Sequence, residues 1–388
     1  MNWGRFTAKG PDAAEAAISS ILSEAAEILR NHLAPGSIRG VYLIGGYGKS
    51  EGGFIIENGA YRPHNNFDLL VVTRFLAFSS AEETKNRTAS LLAPVAKKYR
   101  IQFDIAAISD WKLRNSEVLL MWYDMKEGHK CLVGDEAFLS ETDRFSLDRV
   151  PAWDLQNLIV NRGTLLIIND ALLADHTGVP SEDIAKIVIR HLMKAIIGYG
   201  DAFLFFDGRY HWSYREKLRR IHENPAGLPE GFADMYETAA AFRFEPDYTR
   251  FQGIDLLKFQ NEVRSMLKEV HFICEQKRLG PSFTSWDDYA SLARRDLHLE
   301  TFSSLRRAIR GILELARQLL SGVPLRELTA VAPRRRLSLA FPRIAYLPDD
   351  SRDGRRRRLE YLMSWGNFGD TNFPQLVEKL KLLSARSE

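Results

Sequence analysis

The chain has 388 residues, enough for two or three domains, and its 45% hydrophobic and 27% charged content is that of an ordinary globular protein. A formal charge of +3 supplies no global field that would require a nucleic-acid partner. Cys131 and Cys274, the two cysteines, stand far apart without partner spacing, which excludes a disulfide scaffold or a zinc ribbon.

The first residues, MNWGRFTAKGPDAAEAA, hold no apolar run of signal-peptide length, and no window approaches the roughly 18 consecutive apolar residues of a membrane span. A cytoplasmic protein without a membrane partner is expected. Residues 12–33 repeat Ala14, Ile18, Ile21, Ala25, Ile28 and Leu29 at helical spacing, and Pro35-Gly36 ends that helix. Val41-Tyr42-Leu43-Ile44 reads as a buried strand and is followed by a glycine-rich loop over 45–53. A second strand over 67–72, a helix over about 80–98 and a third strand over 101–108 complete a small α/β unit. Beyond Trp111 the periodicity is helical, with helices expected over 155–173, 184–204, 214–222, 256–276 and 299–320. Leu337 to Phe341 and Ile344 to Leu347, separated by Pro342, read as a small hairpin or strap, with a closing helix at 374–384. The basic runs at 334–336 and 355–358 read as solvated charge.

Metal-assisted transfer of a nucleotidyl group needs backbone donors for a triphosphate and carboxylates for divalent ions. Gly45-Gly46-Tyr47-Gly48-Lys49-Ser50-Glu51-Gly52-Gly53 offers the first, with glycines for close approach and Lys49 as a cation. Asn66 and Asp68 are two apart on a strand and so share a face. Asp104 stands between Phe103 and Ile105, where an unpartnered carboxylate in an apolar strand would cost several kcal/mol.

These segments resemble the polymerase-β-type nucleotidyltransferase superfamily. Gly45-Gly46-Tyr47-Gly48 is similar to its loop, Asn66-Phe67-Asp68-Leu69-Leu70 to its Asp-x-Asp strand, and Gln102-Phe103-Asp104-Ile105 to its third acidic position. Cys131-Leu132-Val133-Gly134-Asp135 looks like a short element that often follows the catalytic sheet. The resemblance covers about residues 37–140 and implies an α+β fold with a small mixed sheet, a nucleoside triphosphate such as ATP, two Mg²⁺ ions and release of pyrophosphate. It implies that Asp68 and Asp104 act in catalysis and hold Mg²⁺ with Asn66, Asp104 serving as general base, and that Gly45, Gly46, Tyr47, Lys49 and Ser50 bind the nucleotide. Lys194, in the helical half, is a further candidate phosphate contact.

Two segments depart from the family pattern. Lys49-Ser50-Glu51 stands where members have Arg-Gly-Glu, and Asn66 stands where the first carboxylate belongs. A charge lost beside a dication is worth several kcal/mol at an effective dielectric of ~20, so one ion would be weakly held. The same change also suits a catalytically impaired relative that binds nucleotide as a sensor or scaffold. Gly48-Lys49-Ser50 further invites comparison with a P-loop kinase, but Leu43 replaces the required first glycine and no helix is expected after Ser50. The expected organisation is a nucleotidyltransferase-like domain over 1–145, a helical domain over 146–330 forming the other wall of the cleft, and an extension over 331–388. The acceptor, the base preference and the oligomeric state are left open.

Overall fold

The computed structural model describes residues 3–75, 80–174, 180–280, 282–301, 305–320 and 333–346. Its elements in chain order are α1 (Asp12–His32), β1 (Ile38–Ile44), α2 (Gly45–Gly48), β2 (Phe54–Glu57), β3 (Ala60–Pro63), β4 (Phe67–Thr73), α3 (Ala81–Tyr99), β5 (Phe103–Ser109), α4 (Asp110–Arg114), α5 (Leu120–Glu127) and β6 (Lys130–Gly134). The rest is helical: α6 (Ala152–Ala174), α7 (Glu182–Phe206), α8 (Tyr214–Glu223), α9 (Phe232–Phe244), α10 (Leu256–Leu279), α11 (Trp286–Thr301), α12 (Leu305–Leu320) and α13 (Pro333–Ala345). The fold class is α+β, with a small mixed sheet followed by helices. Among the described residues no helix is long and apolar enough to cross a membrane.

The chain divides into two compact units that do not follow a single cut in the sequence. The first holds the described residues up to Asp154 together with His211–Arg220 and Glu237–Asp247; the second holds Leu155–Tyr210, Ile221–Tyr236 and the described residues from Tyr248 onward. The expected boundary near 145 thus moves to Asp154, and two stretches of the helical half belong to the sheet unit.

In the first unit the sheet order is β5-β4-β1-β6. β1 pairs antiparallel with β4 and β6, whereas β4 and β5 are parallel. The central strands are buried on both faces, which is why β1 and β4 read as unbroken apolar runs. Phe67, Leu69 and Val71 face α1 and α3, in a core with Ile18, Leu22, Leu29 and Leu92. Ile44, Leu70 and Val72 face the opposite way, against Leu113, Phe138, Leu139 and Phe145. Ser80 starts α3 through a reciprocal capping box with Glu83.

After Ser50 the chain runs into the β2–β3 hairpin, not into a phosphate-binding helix, in agreement with the argument against a P-loop. The hairpin itself was not expected. Its turn is Asn58-Gly59, with φ of 51° and 77°, the left-handed pair that a two-residue hairpin turn demands.

The second unit packs α7 against α10 around buried polar groups. Arg264 meets Asp170 at 2.5 Å with both side chains buried, and Tyr236 donates to Asp201 at 3.2 Å. The expected hairpin around Pro342 is corrected: residues 333–345 form α13, with Pro342 inside it. A proline leaves the carbonyl four residues earlier without its N–H donor. Here the Tyr289 hydroxyl reaches that carbonyl, Ser338 O, at 3.4 Å, while Phe341, Ile344 and Ala345 are buried against Ile167 and Ile168. Local repair and apolar burial together keep the helix intact. The helix expected at 374–384 and the basic run 355–358 lie outside the described residues.

His271 is buried beneath Trp286 and hydrogen-bonds through Nδ1 to the Tyr346 hydroxyl at 3.0 Å. Burial, with Arg278 nearby, pushes its imidazole down to about 3 from 6.5. The neutral ring therefore contributes stability in full above pH 6.5, and that contribution is lost as the pH falls toward 3. Glu275, held above its ordinary value by burial, takes up a proton on the way and offsets part of the loss. In urea unfolding, lowering the pH from 6.5 to 5 should cost the wild type roughly 2 kcal/mol more than it costs His271→Gln. Parallel pH profiles would mean that the folded protein tolerates the charged ring.

Candidate active site

Parallel pairing sets Asp68 of β4 directly opposite Asp104 of β5, and residues paired in this way project to one face of the sheet. That face also carries Ile44, Leu70 and Val72. Asp68 is half-buried and Asp104 exposed, so the two carboxylates stand where apolar cover ends, on strands about 4.8 Å apart.

The expectation of an aspartate enclosed in an apolar strand is corrected. Strand β5 lies at the sheet edge; Phe103 and Ile105 pack toward the helical face, while Gln102, Asp104 and Ala106 are exposed on the other. Asp104 therefore pays no large desolvation penalty. Its Oδ2 accepts Asn66 Nδ2 at 3.0 Å and its Oδ1 accepts Gln102 Nε2 at 3.0 Å.

Gly45 bends the chain away from β1 with a φ of +66°, in the left-handed region. A Cβ at this position would overlap Asp68 Oδ2, so only glycine lets the carboxylate lie against the bend. The following residues form a single helical turn, α2, and not an open loop. Tyr47 is buried inside it, and its hydroxyl donates to Gly53 O at 2.6 Å and accepts Asn65 N–H at 3.3 Å. Ser50 has a φ of 61° and accepts Lys130 Nζ at 3.0 Å.

Lys49 is turned inward. Its ammonium is buried, lies 2.5 Å from Asp124, and donates to Trp212 O at 3.1 Å. The neighbouring Glu51 is also buried and points to the start of α8, where it accepts Ser213 Oγ at 2.6 Å, Tyr214 N–H at 2.9 Å and Arg215 N–H at 3.1 Å. A carboxylate at a helix start satisfies orphan backbone donors and the positive end of the dipole together. The segment after α2 is held from another side too, since Gly52 N–H donates to Phe6 O at 2.9 Å.

One residue of this site gave no signal in the sequence. Arg243, near the end of α9, sets its guanidinium carbon 4.2 Å from the centre of the Tyr214 ring. Its Nη2 stands 3.4 Å from where a Cβ of Gly46 would be. It comes from almost 200 residues downstream, in an Ala-rich stretch without a motif. Lys194, by contrast, is exposed on α7 and belongs to the second unit.

Two carboxylates and the carbonyl of an amide on an open edge suit a Mg²⁺ ion that completes its shell with water and substrate oxygens. Among the described residues there is no group of three or more His, Cys, Asp or Glu side chains able to hold a metal, so the donor set depends on Asn66. No protein-family model matches the chain, and no curated protein matches it either.

Because buried Glu51 accepts hydrogen bonds from three donors, Glu51→Ala should destabilise the protein by about 1–3 kcal/mol in denaturant unfolding. Glu51→Gln, which keeps an acceptor but not the charge, should lose less. Equal stability of the wild type and the alanine variant would show that water takes over the capping.

Proposed function

We propose that this protein binds a nucleoside triphosphate at the edge formed by Gly45, Gly46, Asp68 and Asp104, and transfers its nucleotidyl group to an acceptor hydroxyl. The observation that carries the reading is the in-register pairing of Asp68 with Asp104, on one face and beside a glycine bend that Asp68 itself occupies. Asp68 and Asp104, with the Asn66 carbonyl once its amide turns, would hold Mg²⁺. When bound, the ion would offset phosphate charge and lower the pKa of the attacking hydroxyl.

The chain's own residues do the rest. Asp104, exposed and reachable by an incoming hydroxyl, accepts its proton. The acceptor oxygen forms its bond to the α-phosphorus as the bond to the bridging oxygen breaks, and pyrophosphate leaves with that electron pair. Gly45 and Gly46 keep side chains out of the path of the phosphates. Such a reaction belongs in the cytoplasm, where triphosphates and Mg²⁺ are abundant, and it requires neither a membrane nor a nucleic acid.

A second reading has its own support. Both oxygens of Asp104 are engaged by amides, from Asn66 and Gln102, which is how a site that has dispensed with metal would be stabilised. On that reading the protein binds nucleotide without turning it over.

Calorimetry with ATP separates the two. A transferase should bind ATP more tightly with Mg²⁺ than without, Asp68→Ala should remove that gain, and Asn66→Asp should enlarge it by about tenfold or more. Wild-type binding indifferent to metal would sink the transferase and leave the binding protein.

A further inference from the structure

We propose that the apolar face of α12 docks on a membrane, the helix lying along the surface of a bilayer that carries anionic lipid. The proposal is independent of the nucleotide site, because α12 belongs to the second unit.

The first observation is the face itself. Ile309, Ile312, Leu313, Ala316, Leu319 and Leu320 are all exposed, the five large side chains by 49% at Ile309 to 90% at Leu320. At about 100° per residue these six positions fall within an arc of about 120° of the helix. What α12 buries is a different stripe: Gly311 is buried, and Ala308 and Leu315 are half-buried, along one margin of that arc. A surface helix ordinarily turns its apolar arc to the core. This one meets α11 but leaves the arc in water.

The second observation is charge. Helical spacing sets Arg306, Arg310 and Arg317 along the other margin of the arc. Residues 305–345, from the start of α12 to the end of α13, hold nine arginines and two glutamates, in a chain whose net charge is only +3. Helix α11 meets both α12 and α13 and brings acids, yet residues 286–345 still count eleven arginines against six acids. An apolar arc bordered by arginine is the pattern of a helix in the headgroup region. Its apolar side chains enter the acyl boundary and its arginines reach lipid phosphates.

The two features together choose the occupant. A nucleic acid would take the arginines and leave the apolar arc in water. A second copy would cover the arc but set one strongly positive segment against another. An anionic bilayer satisfies both. That no described helix could cross a membrane does not bear on docking, since a helix lying along a bilayer spans nothing.

The test is co-sedimentation of the full chain with phosphatidylcholine vesicles, with and without phosphatidylserine. Wild type should bind the mixed vesicles about tenfold or more tightly than the neutral ones, and added salt should remove most of that difference. The double variant Ile309→Glu/Leu313→Glu, at two exposed positions, should weaken binding to the mixed vesicles by about tenfold or more. Arg310→Glu, which leaves the apolar arc whole, should weaken it several-fold, and it decides the matter if the double variant fails to fold. No vesicle binding by wild type, or undiminished binding in both variants, overturns the proposal. A lipid-free dimer that the double variant dissociates, without vesicle binding, overturns it in favour of a second copy. Binding to single-stranded DNA in place of vesicles overturns it in favour of a nucleic acid.

Discussion

Two carboxylates side by side on neighbouring strands repel each other, and the parallel pairing of β4 with β5 permits no other arrangement of Asp68 and Asp104. A shift of one residue would send one of them to the helical face, where Phe67, Leu69 and Val71 are packed. The apolar alternation therefore fixes the charged pair in place, although nothing in the pair favours its own proximity. The repulsion is eased by placing Asp104 at the exposed edge and surrounding it with amide donors. An open edge also leaves the pair accessible to a cation, whose charge would reverse the sign of the interaction.

The glycine bend depends on anchors that are distant in sequence. Glu51 ties the segment after α2 to the start of α8, Lys49 ties it to Asp124, and the Phe6 carbonyl receives Gly52. Each anchor is a hydrogen bond or ion pair in a place with little water, where breaking it leaves an unpaired polar group. The departures of Lys49-Ser50-Glu51 from the pattern the chain resembles thus have structural roles. Lys49 and Glu51 are buried and both reach the chain entering α8, Lys49 at Trp212 O and Glu51 at Ser213, Tyr214 and Arg215, while Ser50 between them takes a left-handed φ.

Much of the sheet was legible because its strands are either uniformly apolar or strictly alternating. β1 and β4 declared themselves by burial on both faces, and β5 by alternating Phe103, Ile105 and Ala107 with Gln102, Asp104 and Ala106. The β2–β3 hairpin leaves only a local trace, the Asn58-Gly59 pair at its turn, because its two strands are four residues long and little buried. Pro342 was misleading for a physical reason: its penalty is local, whereas the Tyr289 hydroxyl and the burial of Phe341 and Ile344 that offset it come from elsewhere in the fold. Arg243 was not legible at all. Its place is set against Tyr214, and that of Tyr214 by Glu51, a chain of contacts that spans the sequence without any spacing to betray it.

Asn66 carries the most weight for the chemistry. Were it an aspartate, three carboxylates would share one edge, and without a cation their repulsion would strain the pairing of β4 with β5. The amide converts that repulsion into a hydrogen bond to Asp104, so the edge is stable with or without an ion. Stability gained in this way opposes metal affinity, because an entering ion must displace the amide hydrogen from Asp104 and accept a neutral oxygen in place of a charged one. On the transferase reading, then, the ion would arrive with the triphosphate, whose own oxygens supply the missing negative charge, and the empty site would hold little metal. The same electrostatics suits a protein in which nucleotide and metal bind as one unit.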